Sequence, residues 1–146
     1  MNRKEFLKTC GVALLVLPLA STILSSCQSI YYASSRIVDN KIVVPLSEFE
    51  IIKKKGKAYR DFVMVRTSNE DFPICLYKTA DKYYVASLMK CTHRGCELNV
   101  GGGIYSCPCN GSEFNTSGNV LEGPTDEDLK TFKTYIENEN IYIQLS

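Results

Sequence analysis

The chain has 146 residues, enough for one domain and little more, with 45% hydrophobic and 23% charged residues. Its formal net charge is +1, which gives no electrostatic reason to expect a nucleic-acid partner. This composition is typical of globular proteins, so it also excludes fibrous and low-complexity proteins.

The N-terminal segment predicts export from the cytoplasm. A basic start at residues 2–8 precedes a short apolar run at 11–20, and small residues stand before Cys27. These are the three parts of a secretory signal peptide, which we predict over residues 1–26. The apolar run is too short, and Pro18 too central, for a comfortable membrane span. An N-terminal membrane anchor that stays attached is the alternative.

Two features of this segment are resemblances. Residues 24–27, LSSC, resemble a bacterial lipobox, which implies cleavage before Cys27 and lipidation of its thiol. Residues 3–8 resemble a twin-arginine signal in which lysine replaces the second arginine. Together they imply a lipid-anchored protein on the extracytoplasmic side of a bacterial cell envelope.

The rest of the chain predicts β-structure. Residues 27–40 are predicted as a lipidated tether, with a first edge strand as the alternative. No window has a convincing helical period, and only residues 122–130 leave room for a helical turn. Short runs rich in Val, Ile, Tyr and Phe, separated by turn residues, predict an all-β domain at 41–146, a small antiparallel sandwich or barrel. Its strands are expected at 41–46, 49–53, 61–67, 74–78, 82–88, 131–137 and 141–145, the last two joined as a closing hairpin.

The composition changes between about residues 89 and 125. This stretch contains four of the seven cysteines, the only histidine and seven of the nine glycines. A segment so poor in large apolar residues cannot build its own core, and a metal or a disulfide usually holds such a segment together. We therefore predict a small subdomain here, inserted into the β scaffold.

Two loops in this stretch carry the chemistry, CTHRGC at residues 91–96 and CPCNGS at residues 107–112. Cys91 and His93 are two residues apart, so one tight loop can direct a thiolate and an imidazole at a single point. Cys107 and Asn110 are three residues apart and can do the same from the other side. The spacing predicts a metal site between the loops.

The two loops resemble the boxes of the Rieske iron–sulfur family, C-x-H-x-G-C and C-x-C-H-G-S, in the same order and at similar spacing. The resemblance covers about residues 41–146 and implies an antiparallel β sandwich with a smaller cluster-binding subdomain. It also implies that three residues ligate a 2Fe-2S cluster, namely Cys91, His93 and Cys107. The remaining two cysteines of the loops, Cys96 and Cys109, would form the disulfide of the family.

Further positions match the surroundings of the cluster in that family. Ser112 matches a serine that hydrogen-bonds a bridging sulfide, and Gly123-Pro124 resembles the start of the proline loop that covers the cluster. Phe114 stands where high-potential members carry tyrosine. Since phenylalanine cannot donate that hydrogen bond, the resemblance implies a lower reduction potential.

Asn110 departs from the family pattern, because that position is the second histidine ligand. An amide oxygen is a neutral, hard ligand that suits calcium or magnesium better than iron. Three outcomes stay open. Asn110 can be a weak ligand or a non-ligand of a 2Fe-2S cluster; zinc can bind to Cys91, His93 and Cys107; or the loops can hold no metal, in a Rieske-fold interaction or structural module.

The resemblance implies single-electron transfer, as the iron–sulfur subunit or partner of a membrane-associated redox complex. The sequence shows no catalytic acid–base pair or nucleophile, so we expect an electron-carrier component rather than a self-contained enzyme. Cys75 lies in an apolar predicted strand, where a buried structural thiol is expected and a reactive thiol is the alternative.

Overall fold

The computed structural model describes residues 29–80 and 82–145. The predicted signal peptide and the predicted lipidation site, Cys27, lie outside the described residues. Among those residues, no helix is long and apolar enough to cross a membrane.

Short strands form almost all of the regular structure in the described part of the chain, as the sequence predicts. The strands are β1 (Arg36–Val38), β2 (Lys41–Pro45), β3 (Glu50–Lys53), β4 (Gly56–Tyr59), β5 (Phe62–Val65), β6 (Ile74–Ala80), β7 (Tyr83–Leu88), β8 (Asn99–Gly101), β9 (Ile104–Ser106), β10 (Glu113–Asn115), β11 (Val120–Glu122), β12 (Thr131–Phe132), β13 (Thr134–Glu137) and β14 (Asn140–Gln144). A 3₁₀ helix at Leu46–Phe49 joins β2 to β3.

The strands form four antiparallel sheets. Two four-stranded sheets, ordered β1-β2-β14-β13 and β12-β7-β6-β5, make up the scaffold. A third, ordered β11-β10-β9-β8, lies within the predicted inserted subdomain, and β3 and β4 pair as a separate hairpin. The predicted all-β fold with an inserted subdomain is therefore confirmed.

Successive side chains along the scaffold strands point to opposite faces of the sheet, and this alternation creates two cores. In β6, Ile74 and Leu76 face the aliphatic core between the two scaffold sheets, whereas Cys75 faces the other side. In β5, Val63 and Val65 likewise alternate with Met64. The reverse face of this sheet therefore supports a second core beneath the two cysteine loops.

The predicted closing hairpin is confirmed by the antiparallel pairing of β13 with β14. Asn138 and Glu139 form its turn with φ of 48° and 61°. Two successive positive φ values are typical of the tight turn that matches the twist of paired strands.

One other part of the chain differs from the leading prediction, because residues 36–38 form the edge strand β1, the alternative to a tether. Residues 122–130, the one stretch with room for a helical turn, form none, and they bond to residues 118–120. The Asp128 carboxylate accepts the Val120 backbone N–H at 2.8 Å, and the Leu129 N–H donates to the Gly118 carbonyl at 2.8 Å.

Candidate functional site

The two cysteine loops share one backbone hydrogen-bond pattern. In the first, the Cys91 N–H donates to the Cys96 carbonyl at 2.8 Å and the Gly95 N–H donates to the Cys91 carbonyl at 2.8 Å. In the second, the Cys107 N–H donates to the Ser112 carbonyl at 2.8 Å and the Gly111 N–H donates to the Cys107 carbonyl at 2.9 Å. The equal spacing from cysteine to glycine therefore encodes two copies of one turn.

The glycine of each loop is required by its backbone conformation. Gly95 has φ of 74° and Gly111 has φ of 77°, in the left-handed region where a Cβ is unfavourable. This conformation reverses the chain and brings the following residue, Cys96 or Ser112, back beside the first cysteine of its loop. The glycines therefore set the direction of the side chains at the loop tips.

A disulfide joins the loops. Cys96 and Cys109 are bonded with an S–S distance of 2.06 Å and a Cα–Cα distance of 6.5 Å, which confirms the pairing implied by the family resemblance. Cys75, Cys91 and Cys107 are free thiols. One cysteine from each loop is thus used for cross-linking, and the other stays available for a ligand.

The free thiols of the loops lie at the base of the site, and the histidine lies at its rim. Cys91 is 1% exposed and Cys107 is 3% exposed, whereas His93 is exposed to solvent. The thiols belong to the second core, together with Met64, Cys75, Met89, Leu98, Tyr105, Phe114 and Leu129. An imidazole at the surface and thiols beneath it give the site an inner side and an outer side.

Hydrogen bonds around the Cys91 sulfur favour its thiolate. Burial alone would raise the pKa of Cys91, but hydrogen bonds from the His93 backbone, the Asn110 amide, Cys107 and the Arg94 backbone lower that pKa below its ordinary value. A thiolate is the form that binds metals. The loops therefore make the thiolate that a cationic centre would bind easier to form.

Asn110 is hydrogen-bonded on both sides of its amide. Its Oδ1 accepts the Ser112 backbone N–H at 2.9 Å, while its Nδ2 lies 3.1 Å from His93 Nδ1 and 3.6 Å from Cys91 Sγ. Since a backbone N–H can only donate, the oxygen must face Ser112 and the NH₂ group must face His93 and Cys91. Asn110 therefore points its N–H groups toward His93 and Cys91, while its oxygen lies farther from Cys91 Sγ, at 4.0 Å.

A third segment, residues 123–127, closes one side of the two loops. The Thr125 N–H donates to Ser112 Oγ at 3.3 Å, and the Thr92 hydroxyl donates to the Glu127 carbonyl at 2.7 Å. Thr92 Oγ1 is also 2.8 Å from Thr125 Oγ1. Because the only hydroxyl proton of Thr92 is used on Glu127, Thr125 must donate in that second contact.

Gly123 and Pro124 themselves are exposed, and Thr125 after them makes the contacts. Sequence reasoning missed Thr92 and Thr125. Their only signal was their position, within the first loop and directly after Pro124.

The distances between the possible ligand atoms argue against a single tetrahedral metal ion. Among the described residues, the one group of three His, Cys, Asp or Glu ligand atoms lying within 4.8 Å of one another is Cys96, Cys107 and Cys109. Two of these sulfurs are consumed by the disulfide. The ligand atoms of Cys91, His93 and Cys107 do not all lie within that distance of one another, whereas the ligands of a tetrahedral zinc ion, about 2.0–2.3 Å from the metal, do.

Other predicted residues of the site occupy inner positions. Phe114 and Ser112 are both 0% exposed, and Phe114 pairs with Tyr105 across β9 and β10. Cys75 is 0% exposed, and burial raises its pKa to about 12 in spite of a hydrogen bond from Tyr105 that lowers it. The interpretation of Cys75 as a buried structural thiol agrees with this environment.

Comparison with known proteins identifies the domain. The family model described as the Rieske [2Fe-2S] domain matches residues 41–133. The iron–sulfur subunit of the cytochrome b6-f complex from Prochlorococcus marinus (strain MIT 9303) is 36% identical over 55 residues, which are 36% of this chain and 31% of that protein. The same subunit from Chlorobaculum thiosulfatiphilum is 35% identical over 77 residues, which are 51% of this chain and 41% of that protein.

Among solved structures, the plasma membrane Rieske protein PetC3 from Synechocystis PCC 6803 is 31% identical and has a TM-score of 0.52. The match covers 57% of this chain and 86% of that one. The chain spans less than half the length of the curated cytochrome b6-f relatives that it matches.

Proposed function

Since the chain belongs to the Rieske [2Fe-2S] domain family, we propose that it transfers single electrons through a 2Fe-2S cluster held between its two cysteine loops. The observation that carries this proposal is the geometry of the loop tips. Two free, buried thiols, Cys91 and Cys107, lie beneath an exposed imidazole, His93, and a disulfide fixes the loops that present them. The bound cluster would supply a one-electron couple at this surface.

The residues around the thiols fit such a group. Ser112 is fully buried, and its Oγ accepts the Thr125 N–H at 3.3 Å. Within the described part of the chain, no acceptor takes the hydroxyl proton of Ser112, which stays available to a sulfide between the loops. A buried donor without a protein acceptor is costly unless a bound group accepts its proton.

Asn110 does not fit as the fourth ligand. Its oxygen accepts the Ser112 N–H, and the nitrogen that faces His93 and Cys91 is an amide without a donor lone pair. We therefore propose that three protein residues, Cys91, His93 and Cys107, ligate the cluster. Asn110 orients His93 and hydrogen-bonds the Cys91 sulfur without being a ligand itself. Fewer imidazole ligands would lower the potential relative to a site with two histidines.

One observation favours a second candidate function, an interaction module without a cluster. The loops are already closed by the disulfide and by the contacts of Asn110 with His93, Cys91 and Ser112. Such a network keeps the shape of the loops without a metal.

Anaerobic reconstitution with iron and sulfide tests the first proposal against the second. We expect about two irons and two sulfides per chain and an electron paramagnetic resonance signal after reduction. The variant Asn110→His should convert that signal to one typical of two histidine ligands, while Asn119→His, an exchange at an exposed position, should leave it unchanged. A wild-type protein that stays colourless, beside an Asn110→His variant that binds the cluster, would establish the interaction module.

We further propose that the domain serves a membrane-associated redox complex on the extracytoplasmic side of a bacterial cell envelope, anchored by a lipid at Cys27. The similar proteins named as subunits of the cytochrome b6-f complex support such a partner. The LSSC sequence at residues 24–27 supports the anchor. Mass spectrometry of the N-terminal peptide from membranes tests it: a diacylglyceryl group on Cys27 is expected, and a peptide that begins at Met1 contradicts it.

A further inference from the structure

The hairpin of β3 and β4 is a basic projection with an apolar side. It pairs with no other strand among the described residues, and residues 52–57 are all exposed. Four of its five tip residues from 53 to 57 are lysines, namely Lys53, Lys54, Lys55 and Lys57. Such a concentration of one charge on an exposed turn creates a positive potential that attracts anionic groups.

Within the described residues, most of this charge is not neutralised. Lys57 pairs with Glu50 at 2.9 Å, whereas Lys53, Lys54 and Lys55 form no ion pair there. The Glu139 carbonyl accepts the Leu46 N–H at 2.9 Å, so the acidic turn of the closing hairpin lies near the base of the projection and not at its tip. The basic surface is therefore confined to the tip.

Two exposed apolar side chains accompany the lysines. In the register of the hairpin, Ile52 opposes Lys57 and Glu50 opposes Tyr59, which places Ile52 and Tyr59 on the same face as the ion pair of Glu50 and Lys57. Ile52 is 90% exposed and Tyr59 is 61% exposed. Exposed aliphatic and tyrosine side chains beside lysines are typical of surfaces that lie at the boundary between lipid headgroups and acyl chains.

The N-terminal chain enters the domain at the base of this hairpin. The Arg60 guanidinium, directly after β4, lies 3.7 Å from the centre of the Tyr31 ring, and the Tyr31 hydroxyl donates to Glu48 at 2.8 Å. Tyr31 is four residues after Cys27, a distance of at most about 14 Å in extended chain. A lipid on Cys27 would therefore hold the membrane surface close to this end of the domain.

The cysteine loops lie at the other end of the same sheet. Strand β7 ends at Leu88, opposite Ile74, and continues into the first loop. Near the far end of the sheet Phe62 opposes Tyr77, and the next residue, Lys78, has its ammonium 6.0 Å from the Tyr59 ring of the hairpin. The hairpin and the loops are thus separated by the length of the strands.

We infer that the β3–β4 hairpin is a second membrane contact, in which Lys53, Lys54 and Lys55 bind anionic phospholipid headgroups and Ile52 and Tyr59 enter the headgroup boundary. The lipid at Cys27 tethers the domain but does not orient it. The hairpin supplies the orientation and points the cysteine loops away from the anchoring surface, toward a redox partner. This inference rests on the proposed N-terminal anchor and not on the metal site.

Lysine footprinting of the full chain tests the contact. The protein is reconstituted in vesicles of phosphatidylcholine, with and without about 30% phosphatidylglycerol, and lysine acetylation is followed by mass spectrometry. Since each lysine at an anionic surface contributes about 1 kcal/mol, or about fivefold in affinity, we expect at least fivefold slower acetylation of Lys53, Lys54 and Lys55 in anionic vesicles. Exposed Lys133 is the internal control, and 0.5 M NaCl should remove the protection because the contact is electrostatic.

Each other result decides against the inference. Equal acetylation of the three lysines in both kinds of vesicle would show an anchored domain without a hairpin contact. Protection that requires membrane proteins and is absent with pure lipid would assign the hairpin to an acidic protein partner. A chain that does not float with either vesicle would overturn the anchor and this inference with it, while the iron content of the protein would stay unaffected.

Variants check the same contact without chemical labelling. At low salt, Lys54→Gln should weaken the partition of the protein onto anionic vesicles about fivefold, and the Lys53→Gln/Lys54→Gln/Lys55→Gln variant should weaken it on the order of 100-fold. Lys133→Gln carries the same charge change away from the hairpin and should have no effect. Loss of vesicle binding in Lys133→Gln equal to that in Lys54→Gln would show an effect of net charge alone and would refute the contact.

Discussion

The core of the scaffold consists almost wholly of aliphatic side chains, among them Ile42, Val63, Leu76 and Ile141, whereas the core beneath the loops contains three free thiols, two methionines and two aromatic rings. Strand pairing and the burial of apolar side chains are sufficient to stabilise the scaffold core. The second has only three-residue strands above it and relies on a disulfide, glycine turns and hydroxyl contacts. The scaffold is therefore a conventional folding unit, while the loop region is held by a small number of individual bonds.

If this contrast is right, a cavity in the scaffold should have the largest effect on global stability. Leu76 is 0% exposed in the scaffold core, so Leu76→Ala should lower the free energy of unfolding by about 2–5 kcal/mol. Ile52→Ala, at a 90% exposed position, should change it by less than about 0.5 kcal/mol. Urea unfolding followed by circular dichroism measures both. A loss below about 1 kcal/mol for Leu76→Ala would show that the scaffold is not the main source of stability.

Removing the disulfide should destabilise the loop region in particular. Cys96 and Cys109 are 13 residues apart, and closing a loop of about this length contributes about 3 kcal/mol in the chain-entropy account. We expect Cys96→Ser/Cys109→Ser to expose Cys91 and Cys107 to thiol reagents well before the scaffold unfolds. Equal labelling kinetics in the variant and the wild type would contradict the division into two regions.

Asn110 should contribute less to stability than the disulfide does. A matched variant can separate the hydrogen bond that its oxygen accepts from the other effects of the substitution. Asn110→Ala leaves the Ser112 N–H without its acceptor, which should cost about 1–2 kcal/mol within the second loop. Asn110→Asp keeps an oxygen for that N–H and should retain most of the stability. Amide hydrogen exchange at Ser112 distinguishes the two, with faster exchange expected only in Asn110→Ala. Similar exchange in both variants would mean that the amide does not fix this loop.

The sequence predicted the scaffold well because its strands alternate in the way that a two-layer β fold requires. In β14, Ile141 and Ile143 are buried while the residues between them are partly exposed. Prediction from the sequence failed where a segment of low strand propensity becomes a strand by pairing with its neighbour. Gly56–Tyr59, with glycine, lysine and alanine, has weak strand propensity and was not predicted, yet it forms β4 through its pairing with β3.

The positions of the candidate site were predictable, but their arrangement was not. Cysteine, histidine and glycine spacing indicated two equivalent loops and, through the family resemblance, the disulfide between Cys96 and Cys109. The Asn110 oxygen accepts the N–H two residues further on, which is a local Asx turn. Its contacts with His93 and Cys91 cross between the loops, and Thr125 contacts Ser112 from 13 residues away. Contacts of this second kind arise from tertiary structure, and no local pattern encodes them.

The smallest expected effect concerns Cys75, which joins the two regions because it lies in a scaffold strand but faces the loop core. Burial raises its pKa to about 12 from an ordinary value of 9.0. The thiol therefore ionises first in the unfolded chain. Its contribution to stability is complete below pH 9 and is lost as the pH rises through 12. Between pH 9 and pH 10 this amounts to about 1 kcal/mol.

The Cys75→Ala variant should show a shallower decline of unfolding free energy between pH 9 and pH 10 than the wild type, whatever its absolute stability. The comparison of slopes removes the contribution of tyrosine and lysine residues, which both proteins share. Parallel slopes would mean that Cys75 is open to water in the native state, and that the core beneath the loops is less closed than the scaffold core. A steeper decline in the wild type would mean that Cys75 is closed to water in the native state. The boundary between the two regions would then lie at the reverse face of β6, where Cys75 depends on the packing of the loops.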